Sequence, residues 1–577
     1  MAKIKQYAPT TYLDFSKPAI RRQQEEAIAN VRRKFNKEYP LIINGKKVKT
    51  GETVPSLNPA NISEVVGNFY LATRDDAETA IQAAAKAFET WKNVPAAERA
   101  DYLFRAAEVV RRRRLEINAW MISEVGKNYL EADADTAEAI DFLEFYGREM
   151  LRYANPDPLV PFEGEDNRLE YLPLGVGAVI PPWNFPFAIL VGMTSAAIVT
   201  GNTVVLKPSS DSPMMGWLFM EVLQEVGVPK GVVNFIPGHG GEIGDYVVDH
   251  PRIRFISFTG SANVGKRIYA RAAQTPDNQK WLKRVVAEMG GKDAIVVDAE
   301  ADVDMAVEGV ALAAFGFQGQ KCSACSRAIV DAKIYDEFLE KLKTRVEQFE
   351  VGDPRENKFM GPVSSERAYK GILNYIEIGK GEGRLITGGQ AIESDGWYIQ
   401  PTIIADVKPG ARIEQEEIFG PVLAVTRAKN FDDALKIAND TDYGLTGAVY
   451  TENPEKLERA SREFFVGNLY LNRKCTGAIV GVHPFGGFNL SGTDSKAGGR
   501  DYLLLFLQAK SIATKIGGAR GLGAAKGSKA ARSSGSNGKA GRVNGSNGKA
   551  PKGSGTNGKA PAGKAPAKKT AARKGAK

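Results

Sequence analysis

The N-terminal part of the chain carries apolar side chains three and four positions apart among many charged ones. This spacing puts the apolar groups on one face of an α-helix, so it predicts amphipathic helices. Two segments show it most clearly, PAIRRQQEEAIANVRRKFNK at 18–37 and RDDAETAIQAAAKAFETWK at 74–92. Two further helices are predicted over 96–125 and 131–153.

After Tyr171 the pattern changes to short β-rich runs that alternate with helical segments. The first series contains GAVI, NTVVLKP, VVNFIP, RFISFTG and DAIVV. The second follows Cys322 and contains SRAIV, a helix over 335–349, PVLAVTRA, the helical FDDALKIAND and TGAVY. Strands that alternate with helices are typical of a parallel, doubly wound sheet. Because 577 residues are too many for one compact core, we predict two α/β domains with a cleft between them.

The segment 517–577 differs from the rest in composition. It is built mainly of Gly, Ala, Ser, Asn, Pro and Lys, and it has no aromatic residue. From Arg520 onward there are 15 Lys or Arg and no Asp or Glu, and subtracting them from the net charge of +9 leaves −6 for the rest. Such a segment buries too little to offset its ordering entropy, so we predict a disordered basic tail. Its function would be to bind nucleic acid or another polyanion, or only to solubilise the chain.

The number of cysteines and the hydropathy of the chain limit the compartments in which the protein is expected. Three cysteines cannot build a disulfide framework, which favours a reducing compartment. The N-terminus has no apolar secretion signal, so a cytoplasmic protein is predicted. The most apolar stretch, 175–206, is interrupted by Pro181, Pro182, Asn184 and Pro186, so no membrane span is expected.

Cys322 and Cys325 lie in GQKCSACSR, with the spacing of a redox dithiol or of half a zinc site. A zinc site needs two more ligands, and only Cys475 and three scattered histidines could supply them, so no metal is predicted. The interpretations left open are a nucleophilic thiol, a dithiol switch, and two packed thiols without a chemical role. Because histidines are few, a nucleophilic Cys322 is expected to use a carboxylate as its general base.

Two other strings offer partners for such chemistry. Glu288 in VVAEMGGKD follows an apolar run, where burial would raise its pKa toward that of a useful base; an exposed strand-end glutamate is the alternative. GSANVGKR at 260–267 opens a helix after a strand, but Arg267 stands where a phosphate-binding loop needs a hydroxyl for Mg²⁺. The loop therefore suits a dinucleotide pyrophosphate better than a nucleoside triphosphate.

Short strings between residues 35 and 516 resemble the aldehyde dehydrogenase superfamily. They are PPWNFPF (181–187), GNTVVLKPS (201–209), FTGSANVG (258–265), AEMGGKDA (287–294), FQGQKCSA (317–324), EEIFGPV (416–422) and PFGGFNLSG (484–492). The resemblance implies an α/β protomer with a Rossmann-like NAD(P)-binding domain, a catalytic α/β domain and a small β flap for homo-oligomerisation. The implied boundaries are 1–37 for an N-terminal helical segment, 38–155 and 177–293 for the NAD(P) domain, 294–483 for the catalytic domain, 156–176 and 484–516 for the flap, and 517–577 for the tail.

The resemblance also implies roles for individual residues. Cys322 would be the nucleophile, Glu288 the general base, and Asn184 the oxyanion-hole side chain, acting with the backbone N–H of Cys322. The implied cofactor is NAD. Its implied contacts are Lys207 and Glu417 at the ribose, Gly260, Ser261 and Gly265 at the pyrophosphate, Phe419 beside the nicotinamide, and Ser210 near the position of a 2′-phosphate. Many NAD-preferring relatives carry Glu where this chain has Ser210, so some use of NADP is expected. The family needs no cysteine at 325, and an inactivating Cys322–Cys325 disulfide is a further hypothesis.

Within the superfamily, the segment 468–499 resembles monofunctional enzymes that oxidise L-glutamate γ-semialdehyde to L-glutamate in proline or arginine catabolism. The implied substrate contacts are Ser323, Gly477 and Ala478 for the α-carboxylate, and Phe185 and Phe485 for the aliphatic chain. A hydroxyl with two backbone N–H groups makes a suitable carboxylate nest, although a plain tight turn is the alternative for 476–478. The competing functions are oxidation of another small acidic semialdehyde, such as succinate semialdehyde, and a nucleic-acid-associated scaffold.

Overall fold

The structure, a computed structural model, describes residues 6–516. The predicted tail at 517–577 lies outside the described residues. The helices are α1 (Pro18–Arg32), α2 (Arg74–Trp91), α3 (Ala96–Arg112), α4 (Arg114–Val125), α5 (Tyr129–Tyr153), α6 (Ala188–Val199), α7 (Pro213–Glu225), α8 (Asp245–Asp249), α9 (Ala262–Ala272), α10 (Val303–Phe315), α11 (Tyr335–Val346), α12 (Glu366–Glu382), α13 (Arg412–Gln415), α14 (Phe431–Asn439) and α15 (Pro454–Glu463). None of the helices described is long and apolar enough to cross a membrane.

The strands alternate with these helices from residue 176 onward, as the sequence pattern predicts. They are β1 (Glu38–Tyr39), β2 (Leu41–Ile43), β3 (Lys46–Val48), β4 (Thr53–Asn58), β5 (Asn61–Tyr70), β6 (Glu165–Pro173), β7 (Val176–Ile180), β8 (Thr203–Leu206), β9 (Val233–Phe235), β10 (Ile253–Thr259), β11 (Arg284–Glu288), β12 (Ala294–Val297), β13 (Arg327–Asp331), β14 (Arg384–Thr387), β15 (Ala391–Ile392), β16 (Tyr398–Ile399), β17 (Thr402–Ala405), β18 (Val422–Ala428), β19 (Tyr443–Gly444), β20 (Thr446–Tyr450), β21 (Asn468–Leu471), β22 (Phe488–Asn489) and β23 (Leu507–Lys515).

The first large sheet has the strand order β11-β10-β7-β8-β9-β2-β3. Strands β7 to β11 run parallel, and β2 and β3 extend one edge in antiparallel pairing. Successive side chains of a strand point to opposite faces. Val204 and Leu206 accordingly enter the core beneath α6 and α7, while Val205 enters the core beneath α2 and α9. This is the doubly wound sheet that the sequence predicts.

The second large sheet has the order β14-β17-β18-β13-β12-β20-β21, with only β14 antiparallel to its neighbour. On β12, Ile295 and Val297 pack with α10 and α11, and Val296 packs with α14. A second α/β domain is therefore present, which confirms the predicted fold class.

A separate antiparallel ribbon joins β6 and β23 over nine residue pairs, from Pro173–Leu507 to Glu165–Lys515. The flap predicted over 156–176 and 484–516 is wider than this ribbon. Residues 484–499 instead contact the ends of both large sheets. At β11 of the first sheet, Met289 donates to the carbonyl of Ser491, and at β21 of the second sheet, Asn468 donates to the carbonyl of Pro484.

Two predicted helices have different bounds in the structure. The segment 96–125 forms two helices, because Arg113 leaves helical geometry at φ −93° and ψ 9°. The first helix ends at Arg32 instead of residue 37, since the chain turns at Asn36 and the N–H of Asn36 bonds to Val65 of β5. The spacing of apolar residues along the sequence gives no sign of either helix end.

Candidate active site

The site is built at the carboxyl ends of neighbouring parallel strands in the first sheet. Strand β7 leads into the loop with Asn184, β8 into Lys207 and β10 into Gly260, while β11 ends at Glu288. Carboxyl ends of parallel strands share one edge of a sheet, where ligands bind in open α/β folds. The topology therefore brings residues from four separate parts of the sequence to one edge.

Cys322 reaches this edge from the second domain. It lies in the nucleophile turn (316–326), which connects α10 to β13. The approach is strained, because Phe317 and Gln318 both have left-handed φ, 50° and 56°. Such conformations persist only where surrounding structure holds them, and they concentrate at functional sites. Cys322 is partly exposed. Withdrawal of the thiol from water raises its pKa well above the usual value, and the carboxylates of Asp293, Glu417 and Glu288 raise it further.

Glu288 is buried and held by donors from the 484–499 segment. Ser495 donates to its Oε1 through the hydroxyl and, at 3.4 Å, through the backbone N–H, and the Gly487 N–H donates to Oε2 at 3.3 Å. Burial raises the pKa of Glu288 to about 7, and these hydrogen bonds oppose the rise. A carboxylate with that pKa is a suitable general base near neutral pH. The alternative of an exposed strand-end glutamate is wrong.

Asn184 lies beside the nucleophile turn and is almost fully buried. Its Nδ2 donates to the carbonyl of Gln320 at 3.1 Å, two residues before Cys322. An amide nitrogen carries two N–H bonds. One fixes the side chain against the turn, and the second has no acceptor within residues 6–516, so it is free to donate to the aldehyde oxygen when Cys322 adds.

Asn184→Ala is expected to lower kcat by roughly 10²- to 10³-fold, as loss of one oxyanion-hole donor does elsewhere. The aldehyde KM should change little, because the interaction strengthens only when negative charge develops on oxygen. Steady-state kinetics with a melting curve for each protein would check this. A loss below about tenfold in a fully folded variant contradicts the assignment.

The residues predicted to hold the pyrophosphate divide into two groups. Gly260 and Ser261 lie at the start of α9, whose first turn contains no acidic residue. Gly265 is buried instead, and a Cβ there would come within 2.3 Å of the Met289 sulfur. The absence of a side chain at Gly265 thus lets α9 pack on the strand end. The burial of Gly265 indicates a role in packing instead of a direct contact with the cofactor.

The two predicted ribose contacts are mostly buried ionisable groups on opposite sides of the cleft. Burial lowers the pKa of Lys207 to about 8, and the one hydrogen bond of its Nζ to the residues described here goes to the Pro208 carbonyl, at 3.5 Å. Burial raises the pKa of Glu417 to about 7, and its Oε1 accepts the Gly291 N–H at 3.1 Å. Phe419, two residues on, has a left-handed φ of 57°. Ser210 is exposed, four residues beyond the end of β8.

The predicted aliphatic contacts lie on two loops. Phe185 is half-buried beneath the Nζ of Lys127, which lies 4.0 Å from the ring centroid. Phe485 is also half-buried, and its backbone exchanges hydrogen bonds of 2.8 and 2.7 Å with Ala497. Phe185 directly follows Asn184, and Phe485 lies in the segment 484–499, which carries the donors to Glu288.

The predicted carboxylate contacts come together through their backbones. The Ser323 carbonyl accepts the thiol of Cys475 at 3.3 Å, which joins the nucleophile turn to the loop 476–481. Gly477 in that loop is exposed and has a left-handed φ of 81°. Within residues 6–516, the N–H groups of Gly477 and Ala478 have no hydrogen-bond acceptor.

The hypothesis of a Cys322–Cys325 switch disagrees with the orientation of Cys325. This side chain is buried in the core of the second sheet, where its sulfur contacts the Arg327 carbonyl at 3.4 Å. Cys475 lies in the same core. The side chain of Cys325 therefore belongs to the sheet packing, and Cys322 alone is exposed at the cleft.

The chain is similar to known proteins over most of its described residues. The model of the aldehyde dehydrogenase family matches residues 47–512. The chain belongs to the aldehyde dehydrogenase family. It is 57% identical over 510 residues to the 1-pyrroline-5-carboxylate dehydrogenase of Geobacillus thermodenitrificans (strain NG80-2), covering 88% of this chain and 99% of that protein.

Solved structures of the family show the same fold. The 1-pyrroline-5-carboxylate dehydrogenase from Thermus with bound NAD is 52% identical, with a TM-score of 0.88, and the match covers 89% of this chain and all of that one. Proline utilization A from Bdellovibrio bacteriovorus is 43% identical with a TM-score of 0.87, and the match covers 88% of this chain and 53% of that one.

The residues present in this aldehyde dehydrogenase fit a nicotinamide dinucleotide. The 11-residue helix α9 presents its N-terminus beside Gly260 without an acidic side chain, which suits an anion. Lys207 offers an ammonium group with one long hydrogen bond, and Glu417 offers a carboxylate oxygen, Oε2, besides the one bonded to Gly291.

Sequence reasoning missed Ser495 and Asp293. Ser495 lies 207 residues from Glu288, and no local pattern links the two. Asp293 follows the GGK turn, and its Oδ1 accepts the Thr446 N–H at 2.7 Å. Burial raises the pKa of Asp293 to about 8. Its place within the string AEMGGKDA was the one available signal.

Proposed function

We propose that this chain catalyses the NAD-dependent oxidation of L-glutamate γ-semialdehyde, the open form of 1-pyrroline-5-carboxylate, to L-glutamate. The observation that carries the proposal is the pair of N–H groups at Gly477 and Ala478 that have no acceptor within residues 6–516. The loop with these groups is joined to the nucleophile turn by the hydrogen bond from Cys475 to the Ser323 carbonyl. Two such donors with the Ser323 hydroxyl match a carboxylate. The names of the relatives support the same substrate.

The chemistry follows from the positions of three side chains. The Cys322 thiol gives its proton to solvent as the sulfur adds to the aldehyde carbon. The second N–H of Asn184 and the backbone N–H of Cys322 stabilise the oxyanion that forms on the aldehyde oxygen. Lys207, Gly260 and Glu417 would hold NAD, which would supply the acceptor for the hydride that leaves the carbon bonded to Cys322. Loss of that hydride leaves a thioester on Cys322. Glu288 then removes a proton from water, which attacks the thioester carbon. The C–S bond breaks, releasing the carboxylic acid and the Cys322 thiol.

A substrate panel tests the proposal. Glutamate γ-semialdehyde is expected to exceed pentanal, which has five carbons and no carboxylate, by at least about 10²-fold in kcat/KM, because two or three hydrogen bonds to a charged group are lost. Succinate semialdehyde, which has a carboxylate at a shorter distance, should fall between them. Equal kcat/KM for all three aldehydes would contradict the proposal, and preference for succinate semialdehyde would favour the alternative function.

The choice between NAD and NADP and the assembly of the chain are proposed from surface residues. Ser210 places no negative charge that would repel a 2′-phosphate, so some use of NADP beside NAD is expected. The flap is proposed to join copies of this chain, since Val160 and Phe162 beside the β6–β23 ribbon are 88% and 67% exposed. The names of the relatives give no support to a nucleic-acid partner. A cytoplasmic location is proposed, because a chain with three cysteines suits a reducing compartment.

A further inference from the structure

The N-terminal segment 6–15 is fastened along α5. The N–H and hydroxyl of Thr10 both donate to Asp141, at 2.8 and 2.7 Å, and the Leu13 N–H donates to Asp133 at 2.8 Å. Phe15 is buried against Tyr129, with ring centroids 5.4 Å apart. These contacts hold the segment although it forms no helix or strand.

Tyr7, near the start of this segment, contacts the loop 476–481. Its hydroxyl donates to the Val480 carbonyl at 2.9 Å, two residues after Ala478. Its ring packs on Phe145, 5.2 Å between centroids, and covers Gly481, where a Cβ would meet the ring at 2.8 Å. Only glycine allows this close approach, and its φ of 76° is also the left-handed conformation that glycine adopts freely.

The opposite end of the loop is held by Arg473. Its Nη2 donates to the carbonyls of Thr476 and Gly477, at 2.9 and 3.2 Å. In a trans peptide the C=O and the following N–H point in opposite directions. Because Arg473 holds these two carbonyls, the N–H groups of Gly477 and Ala478 face away from its guanidinium. The loop therefore turns two donors away from Arg473, and it is held by Arg473 at one end and by Tyr7 at the other.

We propose that Tyr7 is a positioning residue for the substrate carboxylate, acting through its hydrogen bond to the Val480 carbonyl and its contact with Gly481. This inference rests on the proposed function, since it assigns the loop 476–481 to the carboxylate of the aldehyde. Through Tyr7, the N-terminal segment, 315 residues from the nucleophile in sequence, fixes the orientation of the donors that select the substrate.

The test compares Tyr7→Phe with Tyr12→Phe. The first variant removes one hydroxyl and keeps the ring on Gly481. The second removes a hydroxyl from the same segment, where Tyr12 is 50% exposed and has no hydrogen bond within the described residues. Tyr7→Phe is expected to raise the KM for glutamate γ-semialdehyde about fivefold with kcat nearly unchanged, as loss of one hydrogen bond predicts. The kcat/KM for pentanal should not change, and Tyr12→Phe should match the parent with both aldehydes.

A second measurement does not depend on turnover of the semialdehyde. L-Glutamate, as a competitive inhibitor of pentanal oxidation, should bind the Tyr7→Phe variant about fivefold more weakly. An equal loss with both aldehydes, or no loss with either, would overturn the positioning role. Failure of the proposed function gives a different result, because the parent protein would then itself show no preference for the semialdehyde over pentanal.

Discussion

Cys322→Ala is expected to abolish aldehyde oxidation, with kcat lower by at least about 10⁴-fold. Asn184 and Glu288 cannot replace the sulfur, because neither can form the adduct from which the thioester arises. Cofactor binding should persist, since the predicted contacts at Lys207 and Gly260 lie on the first sheet. Reduced-cofactor absorbance measures the reaction, and quenching of protein fluorescence by NAD measures binding. Turnover within about 100-fold of the parent would contradict the nucleophile assignment.

Cys325→Ala is the matched control for this experiment. Cys325 is three residues from the nucleophile, yet its side chain lies in the core of the second sheet beside Cys475. Its removal should leave kcat near that of the parent and lower stability by about 1 kcal/mol through the lost packing. Peroxide should inactivate this variant and the parent equally, because the orientation of Cys325 does not favour a bond to Cys322.

The sheets could be predicted from sequence because their signal is local. Runs such as TVVL and AIVV bury both faces of a strand, and such uninterrupted apolar runs are typical of parallel sheets. The break at Arg113 was missed because the apolar spacing continues through α3 and α4 on either side of it. The turn at Asn36 was missed because a bond to Val65, 29 residues away, ends the first helix early.

The site is less predictable, since its geometry depends on distant contacts. The resemblance to the family predicted the roles of Cys322, Glu288 and Asn184. Neither the spacing of residues nor the composition shows that Ser495 holds the Glu288 carboxylate. Tyr7 and Val480 are 473 residues apart, and only the folded chain joins them. At Gly265 the sequence pattern predicted a role that the structure does not favour. This glycine belongs to a phosphate-loop pattern, but its missing side chain allows α9 to pack against Met289.

The Glu288→Gln variant should separate the two halves of the reaction. Glutamine keeps the shape of the side chain but cannot take a proton from water, so the thioester should accumulate. The expected result is a burst of about one reduced cofactor per site, the pattern of a stalled covalent intermediate, followed by a steady-state rate about 10²- to 10⁴-fold below that of the parent. Glu26→Gln, on an exposed position of α1, is the control and should behave as the parent does.

The pH dependence tests the same role with the unmodified protein. Burial raises the pKa of Glu288 to about 7, so the carboxylate is protonated and inactive as a base below that pH. Steady-state turnover limited by thioester hydrolysis should therefore rise as pH increases through about 7 and then level off. In Glu288→Gln this rise should disappear from the slow phase, while the burst remains. Rapid-mixing measurements from pH 5.5 to 9 distinguish the phases. A missing burst would place Glu288 in the addition step, and an unchanged steady-state rate would remove it from the mechanism.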